Sequence, residues 1–269
     1  MAPSPEDRQH FTAFAHRLAD AARGETLARF RNGANVINKA GAQYDPVTDA
    51  DREAERVIAD MVAQTYPDHG FIGEEFGTRG GDGPYRWIVD PVDGTRAFVC
   101  GAPTWTTLIA LEHQNAPVLG VIDQPFTDER WVGDGEAAKF YRGGAGVKAC
   151  TSGLTDLSKA RISTTDPRAD GYMSAIAVGK FAKLAAASRL ARFSLDAYAY
   201  ALLAIGELDI VAETSLQHYD YAALRPVVEG AGGVITNWRG DPIGSDDNGE
   251  ALAAATPELH AAAVRILAG

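Results

Sequence analysis

The sequence predicts a mixed α/β chain in two parts, and three observations predict it. Apolar residues recur at helical spacing over 5–31 and again over 54–62. Short β-rich segments then follow one another from Phe71 to Val132, separated by turn residues. Past a glycine-rich change of composition at 143–158, strands and helices alternate. The first part reads as two long helices against an antiparallel sheet and the second as α/β. The division falls at 1–145 and 146–269.

A chain of 269 residues, 46% of them apolar, can bury a full-sized core without a structural metal or disulfide framework. The formal charge of −11, with no basic tail or stripe, excludes a general nucleic-acid or anionic-membrane binder. Cys100 and Cys150 stand apart from any CxxC pair and read as buried or half-buried free thiols, with a single disulfide as the alternative. Residues 1–11 lack a basic segment followed by an apolar run, and no segment has the apolar length of a membrane span. The cytoplasm is the expected compartment.

The first helix is capped by Ser4, with Pro5 in its first turn and Asp7 at its positive end. Phe11, Phe14, Leu18, Ala22 and Leu27 form its core stripe. Asp45-Pro46-Val47-Thr48-Asp49 reads as a turn into a second helix, whose stripe is Ala54, Val57, Ile58, Met61 and Val62 and whose end is Tyr66-Pro67. Strands are expected at 71–74, 85–89, 106–111, 118–122 and 130–132, with a glycine-rich loop over 77–83. The 118–122 run is too apolar for an exposed edge. Thr127-Asp128 and Asp134-Gly135 are turns. In the second part, strands are expected at 160–164, 208–212 and 234–238, and helices at 196–205, 221–229 and from Thr256-Pro257-Glu258 onward.

The chemistry sits on acidic residues at the ends of these elements. In Trp87-Ile88-Val89-Asp90-Pro91-Val92-Asp93-Gly94-Thr95, Asp90 ends a strand, Pro91 turns the chain and Asp93 can swing back beside Asp90. The amides that follow can start a helix or form a nest, and either binds phosphate. Alone, the segment is more often an ordinary Asp-Pro, Asp-Gly loop. Glu74 and Glu75 at a strand end, Asp49 at a helix start and Asp220 before an apolar helix change that balance, although Asp220 also suits a plain N-cap. Carboxylates sharing one pocket repel and raise each other's pKa, and a hard oxygen-seeking cation relieves the repulsion. No His/Cys cluster suggests zinc; His69, His113 and His218 are isolated and read as structural or surface residues.

These motifs carry a resemblance. Asp45-Pro46-Val47-Thr48-Asp49, Phe71-Ile72-Gly73-Glu74-Glu75, the segment 87–95, Tyr219-Asp220-Tyr221-Ala222-Ala223 and Glu229-Gly230-Ala231-Gly232-Gly233 together resemble the inositol monophosphatase superfamily over almost the whole chain. The resemblance implies a layered αβαβα sandwich, two or three magnesium ions per site and a homodimer. It implies that Glu74, Asp90 and the Val92 carbonyl hold one ion, and Asp90, Asp93 and Asp220 a second. By the same likeness Thr95 orients the attacking water with Asp49 behind it, and the Gly94 and Thr95 amides hold phosphate.

Within the superfamily the chain is most similar to the magnesium-dependent histidinol-phosphate phosphatases, through Arg96-Ala97-Phe98, Gly101-Ala102-Pro103-Thr104-Trp105 and Tyr219. Typical inositol phosphatases have Trp at position 219, Thr or Ser at 96 and Asn at 97. The expected activity is therefore hydrolysis of L-histidinol phosphate by direct attack of metal-bound water, a step of histidine biosynthesis. Glu74 takes the proton, while Glu213 reaches the organic end of a small phosphorylated metabolite. Arg96 either lies near the phosphate or braces the glycine loop, and Asp196 reads as a helix cap. The alternatives are an inositol, sugar or nucleotide phosphatase and, in a different class, a catalytically weak phosphate-metabolite binding protein.

Overall fold

Two large β-sheets, of eight and five strands, carry the chain in its computed structural model, which describes residues 3–38, 46–169, 171–244 and 249–269. Helix α1 (Pro5–Arg29) opens on Ser4, whose hydroxyl accepts the Asp7 N–H at 3.1 Å while the Asp7 carboxylate accepts the Ser4 N–H at 3.2 Å. This reciprocal cap satisfies donors that a helix start leaves open. Phe11, Phe14, Leu18 and Ala22 are buried as their spacing predicts. Leu27 is not; the inward position of that turn is Thr26, and Leu27 is 38% exposed.

Strand β1 (Val36–Asn38) pairs antiparallel with β2 (Pro46–Thr48), so the segment read as a turn is a short strand for its described part. Asp45 lies outside the described residues. Helix α2 (Asp49–Thr65) buries Ala54, Ile58 and Val62 and also two acids, Asp51 and Glu55.

The eight-stranded sheet comprises β3 (Gly70–Gly73), β4 (Gly77–Arg79), β5 (Tyr85–Asp93) and, after the short helix α3 (Thr95–Cys100), β6 (Thr106–His113), β7 (Ala116–Gln124), β8 (Glu129–Gly133), β9 (Ala138–Arg142) and β10 (Val147–Lys148). Its order is β10-β9-β8-β7-β6-β5-β3-β4. The glycine-rich loop expected at 77–83 thus contains an edge strand. The apolar run at 118–122 lies inside the sheet, between β6 and β8.

The second sheet, in the order β12-β11-β13-β15-β14, is drawn from β11 (Arg161–Thr164), β12 (Leu190–Phe193), β13 (Ile210–Glu213), β14 (Val234–Thr236) and β15 (Ala251–Ala254). Around it lie α4 (Ala175–Ala187), α5 (Tyr198–Ala204), α6 (His218–Tyr221), α7 (Leu224–Gly230) and α8 (Pro257–Leu267). The sequence pattern missed α4, β12 and β15. The single helix expected over 221–229 is two, broken at Ala222 and Ala223. Pro226 accounts for the break, because a proline ring clashes with the carbonyl four residues earlier and offers no N–H.

Alternating strand residues show the layering. In β6, Ile109 and Leu111 face α1 and α2 in one core, while Leu108 and Ala110 join Ala201, Leu203, Val227 and Val228 of α5 and α7 in another. In β15, Ala251 and Ala253 face that same central core, while Leu252 and Ala254 pack with Phe181 of α4 and Leu259 of α8. The order is therefore helix pair, sheet, helix pair, sheet, helix pair, an αβαβα sandwich. Period-two burial on both faces of each sheet produces it.

Both cysteines are free and exposed, not buried. His69 accepts the Trp87 indole N–H at 3.2 Å and stacks on Tyr66, while His218 meets Glu112 at 2.6 Å. Among the described residues, no helix is long and apolar enough to cross a membrane.

Candidate active site

A cavity of about 600 Å³ opens between the two sheets, lined by Glu74, Asp90, Val92, Asp93, Gly94, Thr95, Arg96, Asp196, Glu213 and Asp220 among others. The end of β5 builds its floor. Asp90 pairs with Leu108 and Asp93 with Thr106, so three residues on β5 advance against two on β6 and the register shifts between them. This bulge turns Asp90 and Asp93 toward the same side, where strict alternation would oppose them. The Thr107 hydroxyl donates to the Pro91 carbonyl at 2.8 Å and the Val92 N–H to Asp90 Oδ1 at 3.0 Å, which hold the bulge. Gly94 then reverses the chain with φ +81°, and a Cβ there would lie 3.0 Å from the Asp196 carboxylate. The positive φ favours glycine, and any Cβ there would crowd Asp196.

One carboxylate triplet lines this cavity and a second reaches it through Glu74. Asp90, Asp93 and Asp220 offer oxygens that all lie within 4.8 Å of one another, and so do Asp51, Glu74 and Glu75. Asp220 comes from α6, its carboxylate accepting the Gln217 N–H at 2.6 Å. Asp93 accepts the Ala197 N–H at 2.7 Å, tying the first sheet to the start of α5. The resemblance places Glu74 with Asp90; Glu74 groups with Asp51 and Glu75, and its charge also acts on Asp90. The Val92 carbonyl accepts from the Thr95 hydroxyl at 3.0 Å.

Asp49 does not reach the cavity. It accepts the Asn35 N–H at 3.1 Å, lies 3.7 Å from Arg29 and is 39% exposed in its side chain. Asp51 occupies the place expected of it. Its carboxylate accepts both the N–H and the hydroxyl of Thr48, and its Oδ1 lies 3.4 Å from the Thr95 hydroxyl. The signal was in the sequence: Thr48-Ala50-Asp51 spacing is a capping box, which bends the acid at the third helical position back over the helix start. Glu75, for which the sequence motif implies no ligand role, joins the same triplet, and Arg52 stands 4.0 Å from it.

Burial is the leading cause of the electrostatics here, ahead of mutual repulsion. It pushes Asp90 and Asp93 well above the usual carboxylate range, with the neighbouring acids adding to it. Asp220 is pushed up to about 7 by burial, against the Gln217 N–H that favours its charged form; Asp51 is pushed up to about 7 by burial, against its bonds from Thr48. Buried carboxyls bearing only oxygen, in two sets of three, suit a hard divalent cation. They offer nothing to a soft metal.

The far end of the cavity belongs to the second sheet. Glu213, at the end of β13, is buried and accepts from the Thr164 hydroxyl at 3.1 Å and from the Thr165 N–H and hydroxyl at 2.7 and 2.9 Å. Burial raises it to about 8. It is a lining residue, not a solvated strand end. The Arg96 guanidinium stacks over the Tyr172 ring at 4.5 Å, bridging α3 to the second part. Asp196 is no helix cap, since the cap position of α5 is Ala197; it lines the cavity, and burial raises it to about 6 against the nearby Arg96 charge.

The family model for the inositol monophosphatase family matches residues 7–268. Bifunctional phosphatase IMPL2, a chloroplastic protein of Arabidopsis thaliana, is 38% identical over 241 residues, 88% of this chain and 67% of that protein. The histidinol-phosphatase of Streptomyces coelicolor is 33% identical over 257 residues, 91% of this chain and 92% of that one. The solved structure of an inositol monophosphatase from Zymomonas mobilis superposes with a TM-score of 0.85 at 35% identity, covering 99% of this chain and 100% of that one.

Proposed function

Because this chain belongs to the inositol monophosphatase family, we propose that its carboxylate cavity hydrolyses a small phosphate monoester with magnesium as the metal. The observation that carries the reading is a pair of oxygen-only triplets, one lining the cavity and the other reaching it through Glu74. Asp90, Asp93 and Asp220 would hold one ion, and Asp51, Glu74 and Glu75 another, so that at least two ions share the site. Bound there, magnesium neutralises phosphate charge, makes a water more acidic and stabilises the departing alkoxide.

The chain's own groups do the rest. The Thr95 hydroxyl, between the Val92 carbonyl and Asp51, fixes the direction of attack on phosphorus, and Asp51 and Glu74 can take the proton the water gives up. The P–O ester bond breaks, and the alcohol oxygen leaves with a proton from solvent. The Gly94-Thr95 turn brings backbone N–H groups against the phosphate.

Glu213 faces the organic end. With its oxygens held by three neutral donors it is a ready acceptor for substrate hydroxyls, which suits an inositol, sugar or nucleotide phosphate. A second reading, L-histidinol phosphate, draws on the pairing of Glu213 with Asp196 at that end, two acids that would favour a cationic substrate. Turnover of inositol 1-phosphate, adenosine 3′,5′-bisphosphate and L-histidinol phosphate, side by side with magnesium and with chelator, tests both. Highest kcat/KM on histidinol phosphate establishes the second reading, comparable values establish the broader one, and full turnover in chelator overturns the metal-assisted reaction. The homodimer carried over from the resemblance is part of the proposal, and light scattering checks it.

A further inference from the structure

Glu55 is wholly buried on α2, and among the described residues no lysine or arginine pairs with it. A bare carboxylate is costly to bury, so its partners say what it is for. They are two consecutive backbone amides: Glu75 N–H donates to Oε2 at 2.7 Å and Phe76 N–H to Oε1 at 2.9 Å. The preceding amide, Glu74 N–H, donates to the Val89 carbonyl of β5 at 3.2 Å. Three amides in a row are thereby fixed just where β3 releases the chain.

The approach is close. A Cβ at Gly73 would stand 2.0 Å from Glu55 Oε1, so the carboxylate lies directly over the strand end and only glycine leaves it room. Asp51 lies one turn earlier on the same helix and sends its carboxylate into the triplet with Glu74 and Glu75. One face of α2 thus supplies an acid to the cluster and holds the Glu75 and Phe76 amides, while β5 holds that of Glu74.

We propose that Glu55 is a positioning residue for metal binding, clamping the 74–76 backbone so that the Glu74 and Glu75 carboxylates converge with Asp51. The inference rests on the reading of those three acids as magnesium ligands. A carboxylate with two outward lone-pair directions matches two parallel N–H groups; an amide of the same shape offers one acceptor and turns a donor against the second N–H.

Glu55→Gln is the test. Expected is a rise of about tenfold or more in the half-saturating magnesium concentration, seen both in turnover and in calorimetric titration of substrate-free protein. KM for substrate at saturating magnesium should stay within about twofold of wild type. Ile58→Val, on the same buried face but away from the clamp, should lower the melting temperature without moving the magnesium titration. Unchanged magnesium affinity in folded Glu55→Gln overturns the proposal, as does an equal shift in Ile58→Val. Amide exchange in metal-free wild type decides the clamp without any variant: Glu75 and Phe76 should be protected like β3, and exchange at open-loop rates overturns it. Wild type that binds no magnesium would instead defeat the ligand reading, and amide exchange would still decide whether the clamp forms.

Discussion

The Thr95 hydroxyl, at the start of α3, lies 3.4 Å from Asp51 Oδ1, on the first turn of α2, joining positions 44 residues apart. Asp49, two residues earlier, points instead to Asn35 and Arg29. The two acids therefore have separable roles.

Asp51→Asn should lower kcat by about two to four orders of magnitude, the range of a lost proton acceptor. Asp49→Asn should leave kcat within a few-fold of wild type. Steady-state kinetics at saturating magnesium check both, and equal losses would refute the separation.

Asp93→Asn removes one of three crowded buried charges but keeps an oxygen to accept the Ala197 N–H. Without metal its melting temperature should equal or exceed that of wild type. The stabilisation that magnesium gives wild type should largely vanish. Thermal melts with and without magnesium measure both effects.

The raised carboxyls make metal-free stability depend on pH. Asp51 and Asp220 sit at about 7 and Glu213 at about 8 in the folded protein, with burial first among the causes. The unfolded chain releases the same protons near about pH 4. Between these values the folded state holds more protons, so stability is fully present below the unfolded pKa and is lost as pH rises through the folded ones. In chelator the melting temperature should fall from about pH 5.5 to about pH 8, and magnesium should offset the fall most at the higher pH. A metal-free melting temperature that rises over this window would contradict the burial of these groups as carboxyls.

Glu213→Gln leaves the shape of the far end and removes its capacity to ionise against a cationic substrate. The ratio of kcat/KM between L-histidinol phosphate and inositol 1-phosphate should drop, by more than the half-saturating magnesium concentration moves. Competitive assays read the ratio. An unchanged ratio would place substrate selection elsewhere in the cavity, with Asp196 and Tyr172 the next residues to vary.

Local pattern alone determined a good deal about this protein. The stripe Phe11, Phe14, Leu18, Ala22 has one interpretation at 3.6 residues per turn, and α1 buries it. Asp90-Pro91-Val92-Asp93-Gly94 announced a strand ending in a reversal with paired acids, since proline and glycine constrain the backbone locally. Even the capping box that aims Asp51 is written in adjacent residues.

Tertiary structure decided what depends on phase and on partners far along the chain. Asp49 and Asp51 are both acids at a helix start, yet about 200° of helical rotation separates them, and only the docking of α2 on β5 selects which meets the site. Whether Glu55 is a solvated helix acid or a clamp depends on β3 ending beneath it, which helical periodicity does not contain. The approach of Glu74 to both Asp51 and Asp90, and the arrival of Asp220 from α6 beside Asp93, are likewise contacts between separate layers. Sequence specifies each residue's local geometry through short-range sterics; the distances between carboxylates are set by how five layers pack.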